Sequence, residues 1–102
     1  MGTTYNVTVF SEYDNLEQSI YDSFNSVNLS MSTYLKDSLI NKVNYSDINE
    51  WVEVSQEFIE VLKYAVDTCI KSKGLYDVSI GKLVDSWGFG PFEMNQKPSP
   101  KD

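Results

Sequence analysis

The chain has 102 residues, with 15 acidic side chains against 8 basic ones and a net charge of −7. That length holds one small domain, and the negative field excludes electrostatic capture of DNA, RNA or an anionic lipid surface. There is no His, no Arg and one Cys, which excludes an imidazole general base, a bidentate guanidinium clamp on phosphate, an internal disulfide and a Cys-rich zinc site.

The remaining 41% hydrophobic and 14% aromatic content suits a packed globule rather than a disordered chain. No stretch is apolar for about 18 residues, so no membrane-spanning segment is expected. The start, Met1-Gly2-Thr3-Thr4, has neither the basic nor the apolar region of a signal peptide.

Tyr5, Val7 and Val9 alternate with Asn6, Thr8 and Phe10, a period of two that predicts an opening strand with one apolar face. Glu12-Tyr13-Asp14-Asn15 then offers residues able to cap a helix. Leu16, Ile20, Phe24, Val27 and Met31 recur at spacings of four, four, three and four, which predicts an amphipathic helix facing the core. From Thr33 to Glu50 the mixture of Asn, Ser, Asp and Lys reads as a loop with a short turn of helix. Ser55 is the expected cap of a second helix, with Glu57 in its first turn, where negative charge suits the helix dipole. Phe58, Leu62, Ala65 and Cys69 line one side of it, widened by Val61 and Val66. Cys69 on that stripe reads as a structural thiol, and Lys71, Lys73 and Gly74 signal the helix end. Asp77 or Ser79 then caps a short third helix that carries Leu83 and Trp87 and stops at Gly88. Residues 93–102 hold two prolines and no apolar face, and read as a flexible tail or truncated linker beyond a region spanning 1–92.

Four pieces taken in order, Met1-Gly2-Thr3-Thr4-Tyr5, Met31-Ser32-Thr33-Tyr34-Leu35-Lys36-Asp37-Ser38, Leu75-Tyr76-Asp77 and Trp87-Gly88-Phe89-Gly90-Pro91, resemble the amino-terminal part of the ApbE family, the FAD:protein FMN transferases. The resemblance implies that the chain is an α+β segment of a larger ApbE-like, T-fold-like domain: an N-terminal strand, two main amphipathic helices and a short third helix. It also implies that Met1, Tyr34, Leu75, Tyr76 and Asp77 contact FAD. Tyr34 can stack on a ring system, and the Asp77 carboxylate can accept hydrogen bonds from nucleotide hydroxyl or amine groups. The chain departs from the family at Gly81-Lys82, where Gly-Pro is common, at Asp85-Ser86, where Asn-Leu is common, and at Tyr76, where a small residue or Met also occurs.

The activity implied by the resemblance is covalent attachment of FMN, taken from FAD, to a threonine of a target flavoprotein, with release of AMP. Family enzymes continue well past the Trp-Gly-Phe-Gly-Pro piece. The later part is expected to hold the Mg²⁺ ligands and most of the transfer machinery, so no catalytic or metal-binding residue is assigned here and the fragment alone is expected to be inactive. A bacterial cell-envelope or periplasmic address follows from the resemblance alone. An unpaired strand cannot satisfy its own backbone groups, so pairing with a second copy through it is a further expectation. The competing reading is a small acidic, non-enzymatic protein-interaction module, whose 7 Tyr and negative field suit a basic partner.

Overall fold

A computed structural model of the chain describes residues 3–91. The chain divides into two compact units, Met1–Val52 and Glu53–Asp102.

In the first unit, α1 spans Leu16–Met31 and α2 spans Leu39–Asn44, and the two helices pack on one another. The apolar stripe forms as its spacing predicts, with Leu16, Ile20, Phe24 and Met31 half-buried and Val27 exposed. The entry to α1 is less conventional. Asn15 takes a left-handed conformation, φ 57°, and its side chain makes no capping bond. The loop between the helices ends in a well-made cap: the fully buried Ser38 hydroxyl accepts from the Asn41 N–H at 3.3 Å, satisfying a donor that a helix start otherwise leaves unpaired.

The expected N-terminal strand is absent. Residues 4–9 carry no strand, and there is no sheet among the described residues, so these residues are helical rather than α+β. Period-two alternation makes a strand only where a neighbouring backbone takes up its N–H and C=O groups, and no strand among the described residues does so. The alternation still sorts the side chains: Tyr5, Val7 and Val9 line an open concavity of about 930 Å³ together with Tyr13, Leu16 and Ile20. Tyr5 lies against Phe24 of α1, ring centroids 4.3 Å apart and tilted by 33°, a contact that holds the segment onto the helix.

In the second unit, α3 spans Gln56–Lys71. Ser55 caps it as expected, its hydroxyl accepting from the Phe58 N–H at 3.2 Å. Phe58 is 5% exposed and is the one buried apolar side chain among the described residues. Ala65 and Cys69 are half-buried, while Val61, Leu62 and Val66 on the same broad face stay exposed. Asp67 and Lys71 form an ion pair at 2.6 Å one turn apart on the solvent side.

The helix ends in a pair of hydrogen bonds of the Schellman type, from the Lys73 N–H to the Ile70 carbonyl (3.1 Å) and from the Gly74 N–H to the Cys69 carbonyl (2.9 Å). Both residues have positive φ, 55° and 83°. A turn of 3₁₀ helix, Val78–Ile80, leads into α4, Gly81–Ser86, which is the short third helix. Gly88 closes it with φ 79°, the Gly88 N–H reaching the Asp85 carbonyl and the Phe89 N–H the Val84 carbonyl. The departures at Gly81-Lys82 and Asp85-Ser86 leave this helix intact.

Candidate functional site

Of the five residues expected to contact a flavin nucleotide, Met1 lies outside the described residues. Tyr34 belongs to the first unit; Leu75, Tyr76 and Asp77 belong to the second.

Tyr34 sits in the connection between Ser32, which caps α1, and Ser38, which caps α2. Its ring is exposed, 58%, while the backbone around it is tied down by side chains that are not. The Ser32 hydroxyl accepts from the Tyr34 N–H at 3.3 Å. The Asn41 amide donates one hydrogen to the Thr33 carbonyl at 3.0 Å and the other to the Leu35 carbonyl at 2.7 Å. The Ser38 N–H adds a second bond to Leu35, at 3.1 Å. Ser32, Ser38 and Asn41 are buried, so one end of each of these bonds is shielded from water, and an unpaired group there is costly. A free aromatic face on an immobilised loop is an arrangement suited to stacking, because little conformational entropy remains to be lost when a ring lands on it.

Residues 75–77 leave α3 at the Gly74 stop. Leu75 is almost fully exposed. The Tyr76 N–H donates to the Ser72 hydroxyl at 3.0 Å, and that hydroxyl donates to the Cys69 carbonyl. The Asp77 carboxylate accepts from the Ser79 hydroxyl at 2.7 Å and from the Ser79 N–H at 2.9 Å. Both bonds favour the ionised form, the hydroxyl first and the backbone second, and hold Asp77 below its ordinary pKa of 3.8. Asp77 thus caps the 3₁₀ turn and not the short helix α4 that it was expected to cap, whose N-cap Ile80 makes no side-chain bond, and it is a permanent anion near neutral pH. One of its oxygens is engaged in that cap, so a nucleotide donor would meet a carboxylate already held in orientation.

The glycines of Trp87-Gly88-Phe89-Gly90-Pro91 have separate reasons to be there. Gly88 supplies positive φ at the end of α4. Gly90 lies against Asp85, where an added Cβ would collide with the carboxylate and stand 3.0 Å from the Asp85 Cα. Among the described residues no group of three or more His, Cys, Asp or Glu could hold a metal ion.

Sequence patterning missed the polar trio beneath Tyr34. Ser32, Ser38 and Asn41 lie in or beside a run of Ser, Asn, Asp and Lys that reads as solvated loop, and the available signal was Ser38 immediately before the short apolar pair Leu39-Ile40.

Comparison with known proteins identifies the family. The model of the ApbE family matches residues 1–102. The FAD:protein FMN transferase of Haemophilus influenzae is 34% identical over 109 aligned positions, covering 99% of this chain and 32% of that protein. The Vibrio cholerae protein of the same name is 36% identical, covering 89% and 29%. The solved structure of the flavin transferase ApbE from Vibrio cholerae superposes with a TM-score of 0.79 at 33% identity, covering 89% of this chain and 30% of that one. The chain therefore spans about a third of the length of the curated relatives it matches. Sequence and structure agree over nearly its whole length, and the chain belongs to the ApbE family.

Proposed function

We propose that this chain is the amino-terminal segment of an FAD:protein FMN transferase and that Tyr34 and residues 75–77 each contribute to binding FAD. The observation that carries the reading is the exposed Tyr34 ring on a loop held from below by the buried Ser32 and Asn41 side chains, within a fold that superposes on a solved flavin transferase. In the proposed reaction a threonine oxygen of the acceptor flavoprotein bonds to the FMN phosphorus of FAD. The pyrophosphate bond breaks, AMP departs and the threonine proton is lost. The described residues bind and orient in this scheme: Tyr34 offers a stacking face, and Asp77 offers a carboxylate to nucleotide donors. Magnesium, which we include in the proposal, would neutralise charge around the phosphates, and its ligands would come from outside residues 3–91. A location in the bacterial cell envelope, with lipid anchoring, is proposed on the family resemblance alone.

A basic protein partner for an acidic interaction module is not favoured, because family and fold both coincide with flavin transferases. The test is flavin fluorescence on this chain mixed with, or joined to, the segment of the Vibrio cholerae flavin transferase that follows the matched region. FAD binding by the combined protein that is weakened by Tyr34→Ala and by Asp77→Ala supports the reading. Indifference of the combined protein to FAD overturns it.

A further inference from the structure

We propose that Asn41 is a positioning residue for FAD, acting through Tyr34 without touching the nucleotide. The inference rests on the assignment of Tyr34 to the FAD wall and deepens it. Asn41 is 3% exposed and stands on α2, eight and six residues along the chain from the carbonyls it holds. Those carbonyls belong to Thr33 and Leu35, the residues on either side of Tyr34. Because both partners are acceptors, both bonds need the NH₂ end of the amide, and one side chain spends its two hydrogens on the two peptide units that bracket the ring. The Asn41 N–H meanwhile donates to the Ser38 cap, so the first turn of α2 is tied to the loop before it.

Ser32 completes the clamp by taking the N–H of Tyr34 itself. The ring is left exposed at the tip of a backbone that these hydrogen bonds hold on both sides. A helix needs no such device to remain a helix: the Ser38 hydroxyl already caps α2, and the Ser38 N–H already reaches Leu35. What the Asn41 side chain adds is control of residues 33–35, where preorganisation reduces the entropy lost on ligand binding.

The test is a double-mutant cycle in the combined protein described above, read as the FAD dissociation constant, with circular dichroism to confirm folding. Asn41→Ala removes both loop bonds and is expected to weaken FAD binding about tenfold or more, the effect of losing one to two ordinary hydrogen bonds from a preorganised site. The rise should appear in KM for FAD, with the rate at saturating FAD unchanged. In a Tyr34→Ala background, Asn41→Ala should produce no further loss. Ser32→Ala, which frees only the Tyr34 N–H, should weaken FAD binding in the same direction and serves if Asn41→Ala does not fold. Full additivity of Asn41→Ala and Tyr34→Ala, or unchanged FAD affinity in the folded Asn41 or Ser32 variant, overturns the positioning role. Unchanged affinity in Tyr34→Ala alone overturns the assignment of Tyr34 to the FAD wall, a separate failure that the same cycle identifies.

Discussion

Replacing Gly74 by Ala isolates the backbone cost of the stop that delivers residues 75–77. Gly74 has φ 83°, and a Cβ built on it meets nothing within 4 Å, so the substitution adds no clash and removes no packing. Only the conformational penalty remains, about 1–2 kcal/mol for an L-residue in the left-handed region. It falls on the bond from the Gly74 N–H to the Cys69 carbonyl, and α3 must either bear the penalty or lose its terminal bonds. In a domain of this size, a loss of 1 kcal/mol lowers Tm by about 4–8 °C, so Gly74→Ala is expected to lower Tm by about 4–16 °C in thermal unfolding followed by circular dichroism. Lys73→Gly is the complementary change, because Lys73 holds φ 55° with a side chain that glycine would dispense with. The relief there is partly offset by the greater freedom of glycine in the unfolded chain, and Tm should stay level or rise. A Gly74→Ala protein with unchanged Tm would refute the argument that this stop depends on glycine.

Two further outcomes follow from particular contacts. Phe58→Ala removes the one buried apolar side chain among the described residues and is expected to cost about 3–5 kcal/mol in urea unfolding, against about 5–15 kcal/mol for a typical domain; a midpoint within error of the parent would contradict it. Asp77, with its folded pKa lowered by Ser79, should keep the 3₁₀ cap intact as pH falls to its ordinary value of 3.8 and lose it only below that. The direction follows from linkage, since a carboxylate whose pKa is depressed by folding contributes stability above its unfolded pKa and loses it as pH falls through the folded one. Titration of the Asp77 carboxyl by NMR should show a lower value in the parent than in Ser79→Ala, which loses the hydroxyl bond and keeps the backbone one, and equal values would contradict the leading cause assigned here.

The two long helices were legible because each carries several independent signals that agree. In α1 the stripe from Leu16 to Met31 coincides with the observed bounds; in α3 the Ser55 cap, the stripe and the Gly74 stop all point to the same helix. Gly88 likewise marks the end of α4. The failure at residues 5–10 has a definite cause: alternation reports which side chains share a face, and Tyr5, Val7 and Val9 do share one, but a strand also needs a partner backbone, which no local pattern specifies.

The connection from α1 to α2 was hidden for the opposite reason. Its organising side chains are Ser32, Ser38 and Asn41, whose residue types are usually solvated; here they are buried and spend their hydrogen bonds on neighbouring peptide groups. The left-handed Lys73 left no mark either, since lysine carries no preference for that conformation. Tyr34 and residues 75–77 could be singled out only by resemblance, because neither periodicity nor composition distinguishes an exposed tyrosine that stacks on a ligand from one that merely faces water.

The most direct test of the central claim is the FAD dissociation constant of this chain combined with the remaining segment of the Vibrio cholerae flavin transferase, measured for the parent and for Tyr34→Ala. The account predicts saturable FAD binding by the combination and a loss of about tenfold in the variant, the worth of one aromatic contact in a formed site. No binding by the folded combination, or equal affinity in parent and variant, would contradict the claim that Tyr34 forms part of the FAD wall.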